Sequence, residues 1–317
     1  MLDNLLYSIN AIFPIFLIVI LGAILGKCKK LTPQFTEAAD WLVFKIALPV
    51  MLFSEVAGSR PGENIDWKLV LFLIISVTLS FSAVAVIVTL AVKDKSKRGA
   101  LIQGICRSNF AILGVPLAVN MFGDVGGQAI AIAMPFVIVM FNSYSVVILS
   151  LFSESEDEKM SGKKLLGILK NVVTNPLIIG VLLGIVVMLS GIKLPQFATK
   201  TLSYLSGLTT PLALLSLGAN FKIESLHGRV GYAIVGTLGK TVVLPIIAVT
   251  AAVLVGVRGP SLGVVLICFG VPTAVSSYIM AKKMDNDHEL AAQILLLSTF
   301  VCVFTILIGI FTLKSLM

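Results

Sequence analysis

The chain has 317 residues, of which 57% are hydrophobic and 13% are charged, and its mean hydropathy is +1.04. A soluble domain carries about 25% charged residues, so the composition excludes one large water-soluble globule and predicts an integral membrane protein in a lipid bilayer. The net charge of +8 would favour nucleic acid as the partner of a soluble protein, but here the basic residues lie in short loops, where they set topology, and we expect no nucleic-acid partner.

Apolar segments of membrane-spanning length follow one another along the whole chain. A transmembrane helix needs about 20 apolar residues, and this criterion predicts ten spans, at residues 5–26, 38–57, 69–92, 100–122, 128–152, 171–190, 199–220, 230–256, 260–281 and 290–313. The first span is followed rather than preceded by basic residues, which is the reverse of a signal peptide, so we expect it to remain as a helix. The predicted fold class is an all-α polytopic membrane protein.

Prolines, glycines and serines recur in the two halves of the chain at one constant spacing. The spacing of 162 residues relates Pro14 to Pro176, Gly22 to Gly184, Pro33 to Pro195, Pro49 to Pro211 and Ser54 to Ser216. Such a set predicts an internal duplication, with five spans in residues 1–152, a connector at 153–170 and five spans in residues 171–317. Because five is odd, the second repeat enters the membrane inverted, an arrangement that many secondary transporters share.

Basic residues are distributed unequally between the two sets of loops. Of the 24 Lys and Arg residues, 15 fall in the loops on one side and 6 in those on the other, and 3 lie within spans. The positive-inside rule then predicts that the connector lies in the cytoplasm and that both termini are extracytoplasmic.

The tripeptide Gly-Val-Pro occurs twice, as Gly114–Pro116 in span four and as Gly270–Pro272 in span nine. Proline inside a helix removes a hydrogen bond, and in hydrocarbon such a break survives only where protein or a wet cavity satisfies the freed groups. Paired breaks in two repeats indicate the binding site of a secondary transporter. Because the copies are 156 residues apart, this interpretation requires a six-residue deletion in the second repeat.

Polar side chains near the two predicted breaks are candidates for binding a ligand. The amide of Asn109 offers donors that suit a carboxylate, or that cap the broken helix. Asn142, in span five, is the other amide near the middle of a span. Thr273 and Ser276 follow the second break, where a new half-helix begins and its unpaired amides attract anions. Arg107 reaches the same ligand as Asn109 only if the backbone between them is unwound; otherwise it pairs with a carbonyl or reaches the interface.

Charged side chains inside the spans are fewer still. No Asp or Glu is expected near the middle of a span, which argues against cation exchange. Lys45 and Lys240 lie deep in spans two and eight, where each either contacts the substrate or pairs with backbone carbonyls. The four cysteines show no metal-binding spacing, so we expect no metal site and no cofactor.

Taken in order, these features resemble the auxin efflux carrier family, whose bacterial members include malate and malonate permeases. The resemblance covers the whole chain and rests on the five-plus-five spans and on four short motifs: Ala47–Pro49, Arg107–Asn109, Gly114–Pro116 and Gly270–Pro272. It implies an elevator-type carrier in a bacterial inner membrane. Helices 1, 2, 6 and 7 would form the scaffold and a homodimer interface, and helices 3–5 and 8–10 would form the moving transport domain, where the broken helices 4 and 9 cross at the two prolines.

The same resemblance implies a site for a small carboxylate substrate at the crossing. Asn109 would hold the carboxylate, Ile112 and Asn142 would line the site, and Ser54 would lie where span two approaches it. The full set of expected site residues is Ser54, Arg107, Asn109, Ile112, Gly114, Pro116, Asn142, Pro272, Thr273 and Ser276.

Three other functions stay open or are disfavoured at this point. A sodium-coupled organic-acid or bile-acid-type symporter shares the crossed-helix architecture, and it would need clustered oxygen ligands near the crossing. A sensor that binds the anion without moving it is not excluded by any residue pattern. An intramembrane enzyme would need a nucleophile with a base, or a metal cluster, at membrane depth, and the sequence indicates neither.

Overall fold

The computed structural model describes residues 2–58, 66–153, 170, 173–192, 194–220 and 229–316, which contain helices and loops but no strand. The side chains of Ile112 and Pro116, and most of the 153–170 connector, lie outside this description. The helices are α1 (Leu2–Lys27), α2 (Pro33–Leu42), α3 (Leu48–Gly58), α4 (Trp67–Ala91), α5 (Lys95–Cys106), α6 (Phe110–Leu151), α7 (Pro176–Ser190), α8 (Gln196–Gly207), α9 (Thr209–Asn220), α10 (Val230–Leu238), α11 (Leu244–Leu254), α12 (Gly259–Gly270), α13 (Ser276–Lys283) and α14 (His288–Leu316).

Long apolar helices dominate the part of the chain that is described. Six segments are long and apolar enough to cross a membrane: Pro33–Gly58, Trp67–Ala91, Met121–Leu151, Gln196–Asn220, Val230–Leu254 and His288–Leu313. Shorter apolar stretches are Phe16–Lys27, Pro176–Ser190 and Gly259–Gly270. Large hydrophobic side chains such as Ile87 and Leu90 are exposed, as expected of a surface that faces lipid. The architecture is that of an all-α polytopic membrane protein. That the chain crosses the membrane ten times stays a prediction.

Two turns are widened immediately before a proline. Val43–Ala47 and Gly239–Val243 form π-helical turns, and in each the next amide bonds five residues back, from Leu48 to Val43 and from Leu244 to Gly239. The residues that follow, Pro49 and Pro245, have no N–H to continue the usual pattern. These widened turns carry Lys45 and Lys240.

The two helix breaks lie between α5 and α6 and between α12 and α13. The second break contains Pro272, as predicted. The prediction for the first break is wrong: α5 ends at Cys106 and α6 begins at Phe110, so Gly114 and Pro116 lie inside α6. The chain instead turns where polar side chains find partners outside their own helix. A further kink occurs at Gly123, whose φ of 62° and ψ of −148° are not helical, and it divides α6 near the predicted boundary of spans four and five.

The observed breaks change how the two halves align. The interrupted helices end at Cys106 and Gly270, which are 164 residues apart and therefore close to the 162-residue spacing of the other paired residues. The six-residue deletion inferred from the Gly-Val-Pro copies is not needed, because the two tripeptides do not occupy equivalent places. The first lies within a helix, and the second ends one.

Close helix packing also follows the 162-residue spacing. A Cβ added at Gly22 on α1 would lie 2.5 Å from the carbonyl oxygen of Leu215 on α9. A Cβ added at Gly184 on α7 would lie 2.9 Å from the carbonyl oxygen of Phe53 on α3. Both members of the second pair are related to those of the first by 162 residues. Each half therefore packs its first helix on the second helix of the other half, with glycine allowing the close approach.

The α1–α9 contact generates the first prediction. We expect Gly22→Ala to lower the thermal midpoint in detergent by several degrees, because the new methyl group meets backbone and costs about 1–3 kcal/mol. The matched control is Gly231→Ala, where an added Cβ meets nothing within 4 Å. Fluorescence-detected size-exclusion after heating measures both midpoints. Equal midpoints for the two variants would contradict the packing.

Candidate functional site

A small cavity lies at the first break, between α3 and α9 on one side and the two broken segments on the other. Its volume is about 40 Å³, which holds only a few water molecules. Its polar lining comes from Glu55, Arg107, Ser108, Asn109, Asn142 and Ser276, together with the hydroxyls of the Thr209–Thr210 pair. The cavity is not sealed from its surroundings, but the space beside its polar groups is narrow, so a ligand much larger than water fits only if the walls separate.

Arg107 is the central side chain of this cavity and is almost completely buried, with 3% of its surface exposed. Its Nη2 donates to Asn142 Oδ1 and to Ser276 Oγ, each at 2.8 Å, and its Nη1 contacts the sulfur of Met280. Asn142 in turn donates to the Ile138 carbonyl at 2.7 Å. The guanidinium has five N–H donors, and a thioether is a weak acceptor, so the group retains capacity for an oxyanion.

Unwinding of the backbone brings Arg107 and Asn109 to the same cavity. Arg107 is extended, with a φ of −73° and a ψ of 145°, and α6 starts only after Asn109. The sequence analysis left three possible positions open for the Arg107 side chain. In the structure Arg107 and Asn109 line the same cavity, which is the first of these possibilities. In the part of the chain that the structure describes, its guanidinium bonds to side chains and not to a backbone carbonyl.

Two half-helices begin at the cavity with their amino ends. The N–H of Asn109 donates to the carbonyl of Pro272 at 2.8 Å, which joins the two breaks directly. Neither Asn109 at the start of α6 nor Val275 at the start of α13 provides a side-chain cap. The alternative prediction that the Asn109 side-chain amide caps a broken helix is therefore wrong. Uncapped amino ends carry partial positive charge and favour an anion.

Glu55 lines the opposite wall and interacts electrostatically with Arg107. The sequence analysis expected no carboxylate near the middle of a span. Glu55 lies near the carboxyl end of α3, and it nevertheless lines the cavity. The polar lining residues that sequence reasoning missed are Glu55, Ser108, Thr209 and Thr210, and it also missed Met280, which contacts Arg107. An acidic residue inside an apolar span was the available signal.

Several of the expected site residues lie elsewhere. Ser54, next to Glu55 on α3, lines a separate crevice of about 870 Å³ between α3, α7 and α8. Thr273 is fully buried behind the break, where its N–H donates to Ser298 and its hydroxyl contacts Ser277. Both predictions fail for the same reason. Adjacent residues on a helix or turn point in different directions, so the neighbour of a residue that lines the cavity can face another part of the protein.

The side chains of the remaining expected residues do not line the cavity or lie outside the description. Gly114 packs inside the protein, where an added Cβ would lie 2.7 Å from the side chain of Ile130. Pro272 contributes its carbonyl to the crossing rather than a side chain to the cavity. The side chains of Ile112 and Pro116 lie outside the described residues, so their predicted contacts stay predictions.

The two lysines within the spans do not line this cavity. Lys45 is exposed and lines a crevice of about 280 Å³ with Asn175, Lys283 and Asp285. Lys240 is fully buried within the protein and lies near cysteine side chains instead.

A buried ion pair connects helices on the two sides of the cavity. Asp40 on α2 is completely buried, and it accepts hydrogen bonds from Lys282 on α13 and from Ser216 on α9, both at 2.5 Å. Its partner is therefore not Lys45, five residues along the chain. A buried carboxylate needs such compensation, since an unpaired charge is costly in a low-dielectric interior. Among the described residues, no group of three or more His, Cys, Asp or Glu side chains could hold a metal ion.

Comparison with known proteins gives one family and several relatives. The chain matches the family described as membrane transport protein over residues 7–310. It is 26% identical over 299 residues to an uncharacterized transporter of Methanocaldococcus jannaschii, a match that covers 90% of this chain and 93% of that protein. An uncharacterized transporter of Methanothermobacter thermautotrophicus is 24% identical over 293 residues, with 92% and 94% covered. The lysosomal cholesterol signaling protein of Mus musculus is 25% identical over 319 residues, and the match covers 93% of this chain but 36% of that protein.

The Asp40–Lys282 pair generates the second prediction. We expect Lys282→Met to destabilise the protein by up to about 3 kcal/mol, because the buried carboxylate loses its counter-ion. The neighbouring substitution Lys283→Met is the control, and we expect it to have little effect. Adding Asp40→Asn to Lys282→Met restores most of the lost stability. Thermal unfolding of the purified variants measures this, and a double variant no more stable than Lys282→Met alone would show that the two charges are not coupled.

Proposed function

Since the chain belongs to the membrane transport protein family, that of the auxin efflux carriers, we propose that it is a secondary carrier of small organic anions such as malate or malonate. The observation that carries the proposal is the convergence of a buried guanidinium and two uncapped helix amino ends on one narrow cavity. Each of these groups favours negative charge, and together they form a site for a carboxylate.

The polarity of the lining favours a small hydrophilic acid. A substrate carboxylate would bind the Arg107 guanidinium in place of its present neutral acceptors, Asn142 and Ser276, which would then turn their own donors toward the ligand. The Asn109 amide and the Thr209–Thr210 hydroxyls would bind the remaining oxygens. Amide and hydroxyl groups around the ligand compensate its loss of water, which an apolar wall cannot do.

Glu55 would set the charge of the empty carrier. Its carboxylate interacts with Arg107 across the cavity, so the empty site holds its own anion near its cation. An incoming carboxylate would replace Glu55 as the counter-ion of Arg107. Glu55 lies on α3 and Arg107 lies at the first break, so this exchange of partners would loosen one wall of the cavity from the other.

Transport would follow an elevator cycle. One wall consists of α3 and α9, in the predicted scaffold, and the other consists of the broken segments, in the predicted transport domain. The cavity is too small for a dicarboxylate, so the walls must separate to load it and to release it. The Asp40–Lys282 pair joins the same two groups of helices, so it would break and re-form in every cycle. We further propose that both termini are extracytoplasmic, because the basic loops fit that topology. From the family resemblance we also propose a homodimer in a bacterial inner membrane.

Uptake of radiolabelled malonate and malate into proteoliposomes tests the proposal. We expect saturable uptake by the native protein and a loss of at least about 100-fold in Asn109→Ala and Arg107→Gln, because each removes a buried hydrogen-bond donor to the anion. Ser54→Ala is the control, since Ser54 lines another crevice, and we expect it to transport normally.

The same assay separates the carrier from the two alternative functions. A protein that binds radiolabelled substrate but does not move it into the vesicles would support the sensor. Uptake that requires sodium would support the symporter. Normal uptake by Asn109→Ala and Arg107→Gln would refute the central site.

Glu55→Gln generates a separate prediction for the same assay. Removing the carboxylate removes both the resident competitor for Arg107 and a like charge beside the substrate. We expect the KM for malonate at neutral pH to fall at least about threefold. Glu37→Gln, on the exposed face of α2, is the matched control and should leave KM unchanged. A KM that rises in Glu55→Gln would show that the carboxylate helps to bind the substrate.

A further inference from the structure

Lys240 is a buried cation that the proposed substrate site does not use. It lies in the widened turn Gly239–Val243 with 0% of its surface exposed, and its Nζ has no hydrogen-bond partner among the residues that the structure describes. An ammonium group in such surroundings is costly unless nearby negative charge compensates it. The role of Lys240 therefore depends on which groups supply negative charge near its ammonium.

The titratable groups that act on Lys240 come from three other helices. They are the thiols of Cys106 on α5, Cys268 on α12 and Cys302 on α14. All three cysteines are free and buried, and a thiol is a weak acceptor. The thiols therefore mark the position of the ammonium without compensating its charge.

Two of these cysteines place Lys240 at the carboxyl ends of the broken helices. Cys106 is the last residue of α5, and Cys268 lies two residues before the end of α12. The chain around the widened turn packs against both helix ends. A Cβ added at Gly239 would lie 3.2 Å from the side chain of Ile105, and one added at Gly270, the last residue of α12, would lie 3.7 Å from the side chain of Pro245. Helix carboxyl ends carry unpaired carbonyls and partial negative charge. Lys240 thus lies behind the crossing, near its two negative ends, while the positive ends face the substrate cavity.

In carriers built on broken helices, carboxyl ends and unwound carbonyls are where a coupling cation binds. We propose that the Lys240 ammonium is the built-in cation of this crossing: it takes the place of a dissociable metal cation such as sodium, and transport is therefore independent of sodium. The inference rests on the proposed carrier function. Lys240 acts on the substrate only through the helix ends, so it is a positioning residue.

Malonate uptake into proteoliposomes, in sodium chloride and in matched choline chloride, tests the role of the charge. We expect the native protein to transport equally in both salts. Lys240→Ala should be at least about tenfold slower than native in choline and should recover in sodium, because the vacated space and the negative helix ends accept the metal ion. Lys45→Ala is the matched control, since Lys45 lies in the other widened turn but is exposed, and it should behave as native.

Three results would overturn the proposal: a native protein that requires sodium, a Lys240→Ala variant as active as native in choline, and an inactive variant that sodium does not restore. If Lys240→Ala does not fold, Lys240→Gln keeps most of the side-chain volume and tests the same charge.

A second measurement needs no substrate. Sodium, compared with choline, should raise the thermal midpoint of Lys240→Gln by about 2–4 °C and leave that of the native protein unchanged. If the native protein moves neither malonate nor malate, the proposed function fails, but this shift still decides whether Lys240 replaces a cation. The absence of any sodium-specific shift in the variant would refute the cation site.

Discussion

The backbone hydrogen bond from Asn109 to Pro272 is the contact on which the centre of the molecule depends. Each break leaves amides and carbonyls without helical partners, and hydrocarbon offers them no water. The bond pairs one amide of the first break with one carbonyl of the second, and Arg107 adds a bond from the first break to Ser276 at the start of α13. These contacts join the two broken helices. Their amino ends meet at the cavity, and their carboxyl ends lie near Lys240.

The sequence predicts the polar residues of the crossing better than the crossing itself. Asn109, Asn142 and Ser276 are identified because a polar side chain in hydrocarbon needs a partner, and this argument holds wherever the helix happens to break. The first break is misplaced because glycine and proline were taken as its cause. Proline disfavours a regular helix, but contacts between distant segments decided where the helix ends, and no local pattern contains those contacts.

Charge pairs were the least predictable part of the structure, because their members are far apart in the chain. Asp40 and Lys282 are separated by 242 residues, and Glu55 approaches Arg107 from another helix. Adjacent residues on a helix point about 100° apart, which is why α3 presents Glu55 to the cavity while Ser54 faces a different crevice. The family resemblance identified α3 as the helix that reaches the site. It named Ser54, however, and the side chain that lines the cavity is that of the next residue, Glu55.

The balance of charge around the crossing connects the proposed substrate site with the lysine behind it. A helix end carries about half an elementary charge, so the two carboxyl ends amount to about −1, which Lys240 would neutralise. In front, an ionised Glu55 would cancel Arg107, and the two amino ends would leave about +1. The front therefore suits one negative charge, and a dicarboxylate is neutralised there only with one proton, held by the substrate or by Glu55. Without Lys240 the whole crossing would be more negative by one charge, which is why the anion in front depends on a cation that it never touches.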